Sequence, residues 1–175
     1  MPSMGDPRFL RSVVYMVAHD SEGAMGFIIN KRAEGLSLGD ILKDMPETVA
    51  KTGLVNLPVY VGGPVQNDRG FVLHTSDYEK THNTLSQELP IALTQSADVL
   101  VDAAHGRGPE KMRLFLGYAG WGPGQIEGEL QDNAWLVCDA NIAEIFTSQS
   151  DDLYEKCVAA MGIDLALLSN EGGEA

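Results

Sequence analysis

Long apolar runs are scarce in this sequence. The longest is the six-residue run 13–18, whereas a membrane-spanning helix needs about 20 residues. The start, 1–6, carries no basic cluster, and no long apolar segment follows it, so no secretory signal is indicated. We therefore expect a soluble cytoplasmic protein that does not associate with membranes.

Cysteine is also scarce, and it lacks the spacing of a metal or redox motif. The two cysteines, Cys138 and Cys157, form no Cys-x-x-Cys pair and have no histidine at ligand spacing. Cys138 ends an apolar run, and Cys157 falls in a predicted helix. We interpret both as small buried side chains in a reducing compartment. A redox or nucleophilic role is the alternative, which the lack of a basic neighbour of Cys138 disfavours.

Positive charge is the third shortage. There are 12 Lys and Arg against 25 Asp and Glu, giving a net charge of −13. From residue 127 onward, Lys156 is the single base. The densest basic cluster is Arg107, Lys111 and Arg113. Because so negative a surface repels phosphate, the composition disfavours direct nucleic-acid binding. The acidic final third could instead face a basic protein partner.

The chain has enough apolar residues for one compact domain. Of its 175 residues, 44% are hydrophobic and 21% are charged, as in ordinary globular proteins. Predicted strands follow one another early and alternate with helices later. This order predicts a mixed α+β fold in one domain, 1–175, with a mixed β-sheet flanked by helices. A small antiparallel subdomain could lie around 55–95.

Apolar periodicity and turn residues locate the individual elements. Strands are predicted at 11–19, 24–31, 57–61, 71–74, 90–94, 111–118 and 134–138. Helices are predicted from Ser37 to about residue 45, and at 97–105, 125–131 and 152–161. A loop is expected at 32–35 and a glycine-rich bend at 119–124.

The run 35–39 reads Gly-x-Ser-x-Gly, the nucleophile-elbow pattern of α/β-hydrolases. That chemistry needs the serine on a sharp turn directly between a strand and a helix, but a predicted loop precedes Ser37. Asp40 stands three residues on, as in a capping box. We therefore interpret Ser37 as a helix cap.

Two histidines, His19 and His74, lie at the ends of predicted strands. Such a pair can bind a metal or act as general acid and base. Alternatively, each ring bonds a neighbouring backbone group. No spaced third ligand such as His-x-His accompanies them, so we expect no metal and no cofactor.

The most unusual segment, 117–129, is rich in glycine and leads from a strand into a helix. Its polar and aromatic candidates are Trp121, Gln125 and Glu127. The segment is either a ligand-binding loop or a structural turn with a helix cap. Gly-x-Gly-x-x-Gly is not met, because Gln125 stands at its third glycine. Glu127 and Glu129 point to opposite helix faces and cannot form one catalytic pair.

Three further positions are candidates for binding. Gly62 and Gly63 form either a tight bend or a second binding loop. Asn30 ends an apolar strand, and its amide needs a hydrogen-bond partner if it is buried.

Several ordered blocks together resemble the AlgH/YqgE family of uncharacterised bacterial proteins. The resemblance extends from residue 1 to about 169. It is carried by Asp6–Pro7 with Phe9, 12–15, His19, 23–30, 59–65, 70–74, 116–129 and 133–135.

This resemblance implies a compact α/β fold and a cytosolic protein, and some members are labelled transcriptional regulators. It implies no catalytic residue. Members usually carry a short apolar segment before the Met-Pro at which this chain begins. We interpret that segment as a first strand, and if it were absent, one sheet edge would be exposed.

Our leading hypothesis is a non-catalytic binding or regulatory protein that acts through a small ligand or a protein partner. Regulation of transcription would then be indirect. The alternative is a small hydrolase or transferase that uses His19, His74 and a carboxylate such as Glu127 near the 120–125 loop. This enzyme requires those side chains to line one pocket. Direct DNA binding is the third hypothesis.

Overall fold

A computed structural model of the protein describes residues 6–44, 53–78, 84–88, 90–140, 142–147 and 150–163. Eight strands lie in these ranges: β1 (Val14–Asp20), β2 (Gly23–Ile28), β3 (Arg32–Ser37), β4 (Pro58–Val61), β5 (Val65–Thr75), β6 (Thr84–Glu88), β7 (Ile91–Thr94) and β8 (Met112–Trp121). The α-helices are α1 (Leu38–Ile41), α2 (Asp98–Ala104), α3 (Gln125–Gln131), α4 (Ile142–Thr147) and α5 (Ser150–Ala160).

Strand β8 organises the sheet, whose order is β1-β2-β8-β5-β7-β6. One edge of β8 pairs antiparallel with β5. The other edge is shared, because β4 pairs parallel with 114–116 and β2 pairs antiparallel with 119–121. β3 pairs only with β4. The predicted mixed sheet and α+β class are therefore confirmed, and the strands of the 55–95 region belong to this same sheet.

Both faces of the sheet are apolar because neighbouring side chains alternate across it. On one face, Phe27, Phe71 and Phe115 pack together with ring centroids 5.3–5.4 Å apart, beneath residues of α4 and α5. On the other face, Val72 and Leu114 pack beneath α1 and α2. Helices thus flank the sheet as predicted.

Helix α1 begins where the cap was predicted. Ser37 Oγ accepts a hydrogen bond from the Asp40 amide at 3.3 Å, and Asp40 accepts one from the Ser37 amide at 3.0 Å. The Ser37 hydroxyl also donates to Asp40 at 2.6 Å. Together with Lys43, these bonds hold the pKa of the Asp40 carboxyl well below its usual range. The capping interpretation is confirmed.

Three local predictions are wrong. Residues 32–37 form β3 rather than a loop, and β8 continues to Trp121, so the bend is confined to 122–124. Residues 135–140 are coil, not a strand. The chain turns at Ala134, whose amide donates to the Glu129 carbonyl at 2.8 Å as α3 ends. None of the described helices is long and apolar enough to cross a membrane.

Candidate functional site

His19 and Glu127 come together at the surface. His19, at the end of β1, is paired with Ala24 of β2, which in turn is paired with Trp121 of β8 just before α3 begins. Its Nε2 lies 2.7 Å from Oε1 of Glu127, and both side chains are about half exposed, at 47% and 46%. The hydrogen bond from His19 holds the pKa of Glu127 below its ordinary value.

Glu129, two residues further along α3, joins three side chains. Its Oε2 accepts hydrogen bonds from the indole N–H of Trp121 at 3.0 Å and of Trp135 at 2.7 Å. Its Oε1 accepts one from Gln125 at 2.8 Å. Burial alone would raise the pKa of Glu129, but these three donors hold it below its ordinary value. The carboxylate therefore links the end of β8, helix α3 and the coil after it.

Gln125 closes the glycine-rich bend onto the helix. Its side-chain oxygen accepts a hydrogen bond from the Gly122 amide at 3.0 Å while its NH₂ group donates to Glu129. Gly124 precedes the helix with φ +73°, a left-handed conformation that favours glycine. The oxygen and the NH₂ group of Gln125 thus bond within the protein, as expected if this segment is a structural turn with a helix cap.

A cavity of about 440 Å³ opens beside this cluster, between β1, α3, α5 and the coil 135–140. Most of its wall is apolar and comes from distant parts of the sequence, including Val13, Tyr15, Ile126, Leu130, Leu153 and Val158. His19, Trp121 and Trp135 also line it. Since Trp121 and Trp135 are the two tryptophans of the chain, both indoles report on this site.

Three carboxylates lie in or beside the cavity wall. Asp139 and Glu144 line the cavity, and Glu127 is bonded to His19 in its wall. The described wall includes no lysine or arginine. Arg11, which lies against α5, bonds Glu155 at 2.9 Å and stacks over Tyr154 at 4.7 Å. The electrostatic character of the rim is therefore negative.

The two cysteines meet in the same wall. Cys138 is exposed on the coil, and Cys157 is half-buried on α5. Burial, and then the nearby Cys138, raise the pKa of the Cys157 thiol to about 12. Cys138 is thus not the buried side chain that the sequence suggested, because the predicted strand around it does not form.

Gly62 and Gly63 are buried against β8. The Gly62 amide donates to the Leu116 carbonyl at 2.8 Å, and the Gly62 carbonyl accepts from the Ile28 amide at 2.8 Å. A Cβ at Gly62 would collide with the Gly117 carbonyl, and one at Gly63 with the Tyr118 main chain. These glycines allow β2 and β4 to meet end to end along β8, and the structure does not bring them to the cavity.

Asn30 has the partners that its burial requires. Its Oδ1 accepts from the Val13 amide at 2.7 Å, and its Nδ2 donates to the Arg11 carbonyl at 2.9 Å. The side chain therefore fixes the approach to β1, the strand that forms one cavity wall.

His74 lies far from His19. It pairs with Met112 at the opposite end of β8 from Trp121, which places it on the order of 25–30 Å away along the strand. The ring is 1% exposed, its Nδ1 is 2.8 Å from the Thr75 carbonyl, and its Nε2 has no partner within the described ranges. The pocket that the enzyme hypothesis required, with both imidazoles, is therefore not formed.

The predicted basic cluster does not make a surface patch. Arg113 is buried, donates to the Ile29 carbonyl at 3.0 Å and stacks on Tyr60 at 4.7 Å. Arg107 lies 3.4 Å from the buried carboxylate of Asp102. Within the described parts of the chain, no three His, Cys, Asp or Glu side chains are grouped as metal ligands.

The sequence analysis missed Glu129, Trp135 and the cavity itself. Glu129 lies four residues after Gln125 on one helix face, a spacing that signals a side-chain contact. Trp135 stands six residues after Glu129, just past the helix, and an indole there needs a hydrogen-bond acceptor. No local signal reveals the cavity, since its walls are assembled from opposite ends of the chain.

Comparison with known proteins gives consistent relatives over the whole chain. The AlgH-like family model matches residues 1–166. A UPF0301 protein of Ruegeria pomeroyi is 42% identical over 175 residues, covering all of this chain and 95% of the relative. A UPF0301 protein of Stutzerimonas stutzeri is 43% identical over 176 residues, covering all of this chain and 92% of the relative.

Solved structures agree with this assignment. The solution structure of the AlgH protein from Pseudomonas aeruginosa superposes with a TM-score of 0.80 at 42% identity, over all of this chain and 92% of the other. A Corynebacterium diphtheriae protein shares the fold, with a TM-score of 0.71 at 22% identity over 97% and 87% of the two chains. On the strength of the family model and these relatives, the chain belongs to the AlgH-like, UPF0301 family.

Proposed function

We propose that this protein is a non-catalytic binding protein of the cytoplasm, which takes a small ligand into the cavity between β1, α3 and α5. The ligand has an apolar body and a neutral or cationic head. The observation that carries this proposal is an apolar cavity of about 440 Å³ with an acidic rim. In this proposal, any effect on transcription follows indirectly from the liganded state.

The interior favours an apolar body. Sites for small molecules usually have volumes of about 300–1,000 Å³ and are lined mainly by apolar and aromatic side chains with a few polar groups. Each methylene that leaves water for such a wall contributes about 0.8 kcal/mol, or about fourfold in affinity. Affinity should therefore rise with alkyl chain length until the cavity is filled.

The rim selects the head group. An anionic head would lie beside Asp139 and Glu144, which line the cavity, and beside the ionised Glu127, whose pKa is lowered by His19. A cationic head gains from the same charges. At the effective dielectric near a protein surface, charges about 4–6 Å apart interact by roughly 3–4 kcal/mol before screening. A preference of tenfold or more for cation over anion is expected at low salt.

The test is a tryptophan-fluorescence titration with octylamine, octanol and octanoate, each kept below its aggregation concentration. Both tryptophans line the cavity, so binding should change the emission directly. We expect octylamine to bind most tightly, octanoate to bind most weakly, and the difference to shrink as salt screens the rim. Hexylamine should bind roughly tenfold more weakly than octylamine. Equal affinity for all chain lengths would refute the cavity as the binding site.

Two matched substitutions locate the ligand. Ala140→Phe adds a ring to an exposed residue of the cavity wall, whereas Ala160→Phe adds the same ring to an exposed residue of α5 outside it. We expect the first substitution to abolish octylamine binding and the second to preserve it. Glu127→Gln should reduce the preference for octylamine over octanoate and leave octanol binding unchanged. Equal effects of the two phenylalanine variants would contradict the assignment.

Indirect regulation is separately testable. The burial of Arg113 and the pairing of Arg107 with Asp102 weaken the densest basic cluster of the sequence as a phosphate-binding patch. We expect no mobility shift of duplex DNA at physiological salt, with or without octylamine. A shift that survives competitor DNA would overturn the indirect mode.

A second candidate function is hydrolysis, favoured by the 2.7 Å contact between His19 and Glu127 beside the cavity. In this hypothesis Glu127 orients the imidazole, and His19 removes a proton from water as a general base. The test is turnover of p-nitrophenyl octanoate by the purified chain. If the protein is a hydrolase, the turnover rate should fall about 100-fold or more in His19→Ala, but it should not fall in the remote His74→Ala. Equal turnover by all three proteins would sink this candidate.

A further inference from the structure

The two cysteines form a candidate modification site independent of any ligand. They are 19 residues apart in sequence, yet they line the same cavity, and Cys138 is near enough to act on the pKa of the Cys157 thiol. They are the two cysteines of the chain, so the pairing within one molecule is unambiguous. We propose that Cys138 and Cys157 form a reversible disulfide by exchange with a low-molecular-weight disulfide.

The two thiols have different surroundings, and this sets the order of events. Cys138 is exposed, on a stretch of coil, so a small disulfide can reach it. Cys157 is half-buried on α5. Cys138 is therefore the attacking thiol, and Cys157 is the resolving thiol.

The exchange takes two balanced steps. The Cys138 thiolate attacks one sulfur of the small disulfide, forming a mixed disulfide and releasing one small thiolate. Cys157 then loses its proton to water and attacks the Cys138 sulfur, forming the internal disulfide and releasing the second small thiolate. In total, two protein thiols are oxidised, and one small disulfide is reduced to two thiols. A dithiol such as dithiothreitol reverses the reaction.

The local structure tolerates the new bond. A disulfide brings the sulfurs to about 2 Å, so the two thiols must approach each other. Residues 135–140 are held by neither a helix nor a strand, so the coil can supply this movement while α5 stays in place. The bond would fasten the exposed Leu136 and Val137, at 42% and 75% exposure, to the helix across the cavity wall.

The test uses the reduced full-length protein in buffers of oxidised and reduced glutathione, with acid quenching and intact-mass analysis. We expect a monomer that has lost two hydrogen atoms, with peptide mapping joining Cys138 to Cys157 and dithiothreitol restoring both thiols. To form the same disulfide, the urea-denatured chain should need a ratio of oxidised to reduced glutathione about tenfold higher or more, because its thiols are no longer held near each other. Equal ratios for native and denatured chains would overturn the proposal.

Single substitutions check the order of attack. Cys157→Ser should stop at a glutathione adduct on Cys138, and Cys138→Ser should leave Cys157 largely unmodified. Because burial and Cys138 raise the pKa of Cys157, the wild-type mixed disulfide should resolve faster as the pH rises. Intermolecular dimers, or a wild-type adduct that never resolves, would refute an internal disulfide. These readouts do not involve octylamine, so they stand or fall apart from the proposed ligand.

Discussion

The substitution Glu129→Ala should lower the free energy of unfolding more than replacement of any other exposed carboxylate near the site. The side chain accepts from Trp121, Trp135 and Gln125 at 2.7–3.0 Å. These donors belong to β8, the coil after α3 and α3 itself. The substitution therefore removes one link among three elements and leaves all three donors without their acceptor.

The loss in the free energy of unfolding depends on whether each donor can find another acceptor after the substitution. Hydrogen bonds to a charged group contribute about 1.5–3 kcal/mol each, but they are not additive. Trp135 and Gln125 are partly exposed and can turn to water, whereas Trp121 is 7% exposed, and its orphaned N–H costs about 1–3 kcal/mol. We expect a loss of about 3 kcal/mol in the free energy of unfolding, or about 6–12 °C in Tm for a chain of this length. Glu129→Gln, which keeps one acceptor oxygen, should lose about half as much.

The assay is urea unfolding followed by tryptophan emission, with Glu110→Ala, an exposed glutamate, as control. Emission should also shift to the red in folded Glu129→Ala, since both indoles lose their partner. In the folded state the pKa of Glu129 lies below its ordinary 4.5, so its stabilisation is present above pH 4.5 and is lost as the pH falls through the folded value. The difference between wild type and Glu129→Gln should therefore shrink below pH 4.5. A cost under about 0.5 kcal/mol for alanine would refute the reasoning.

Three further substitutions test other parts of the fold by the same urea unfolding. Ser37→Ala removes the cap that bonds the Asp40 amide and should cost about 1 kcal/mol; no loss would mean that α1 needs no cap. Gly62→Ala places a Cβ against the main chain of β8 and should cost about 3 kcal/mol or yield no folded protein; a neutral result would contradict the close approach. Tyr78→Phe deletes the buried 2.7 Å bond to Asp102 and should cost about 2 kcal/mol, as a bond to a charged acceptor; an unchanged midpoint would argue against it.

Most of the fold could be predicted because its elements carry local signals. The capping pattern at Ser37 located α1, and alternation located β8. Strand β3 was missed because it is a bulged edge that pairs only at Arg32 and Ser37 and contains Gly35 at φ +71°. The stretch 134–138 looked like a strand because it is apolar. The side chains of 135–138 instead line a cavity, and apolar composition alone does not distinguish such a stretch from a buried strand.

The candidate site was predictable in part. His19 and Glu127 were both named from sequence, and the structure brings them to 2.7 Å, because register through β1, β2 and β8 aligns them. His74 was grouped with them only because it also ends a strand. Register along β8 separates the two histidines, and no local pattern encodes register across a sheet. The proximity of Cys138 and Cys157 was also missed, because a coil and a helix that line one cavity share no sequence periodicity.

One glycine of the unusual block, Gly117, is required by packing. At Gly117, with φ +68°, a Cβ would meet the Gly63 carbonyl, and at Gly62 a Cβ would meet the Gly117 carbonyl, so these glycines fit against one another. Gln125 and Glu129 are consumed by the bonds that seat the two indoles. These bonds hold both indoles in the wall of the apolar cavity. Because sites for small molecules are usually clefts or cavities of about 300–1,000 Å³ with mostly apolar walls, the cavity of about 440 Å³ beside this wall is where a ligand should be sought.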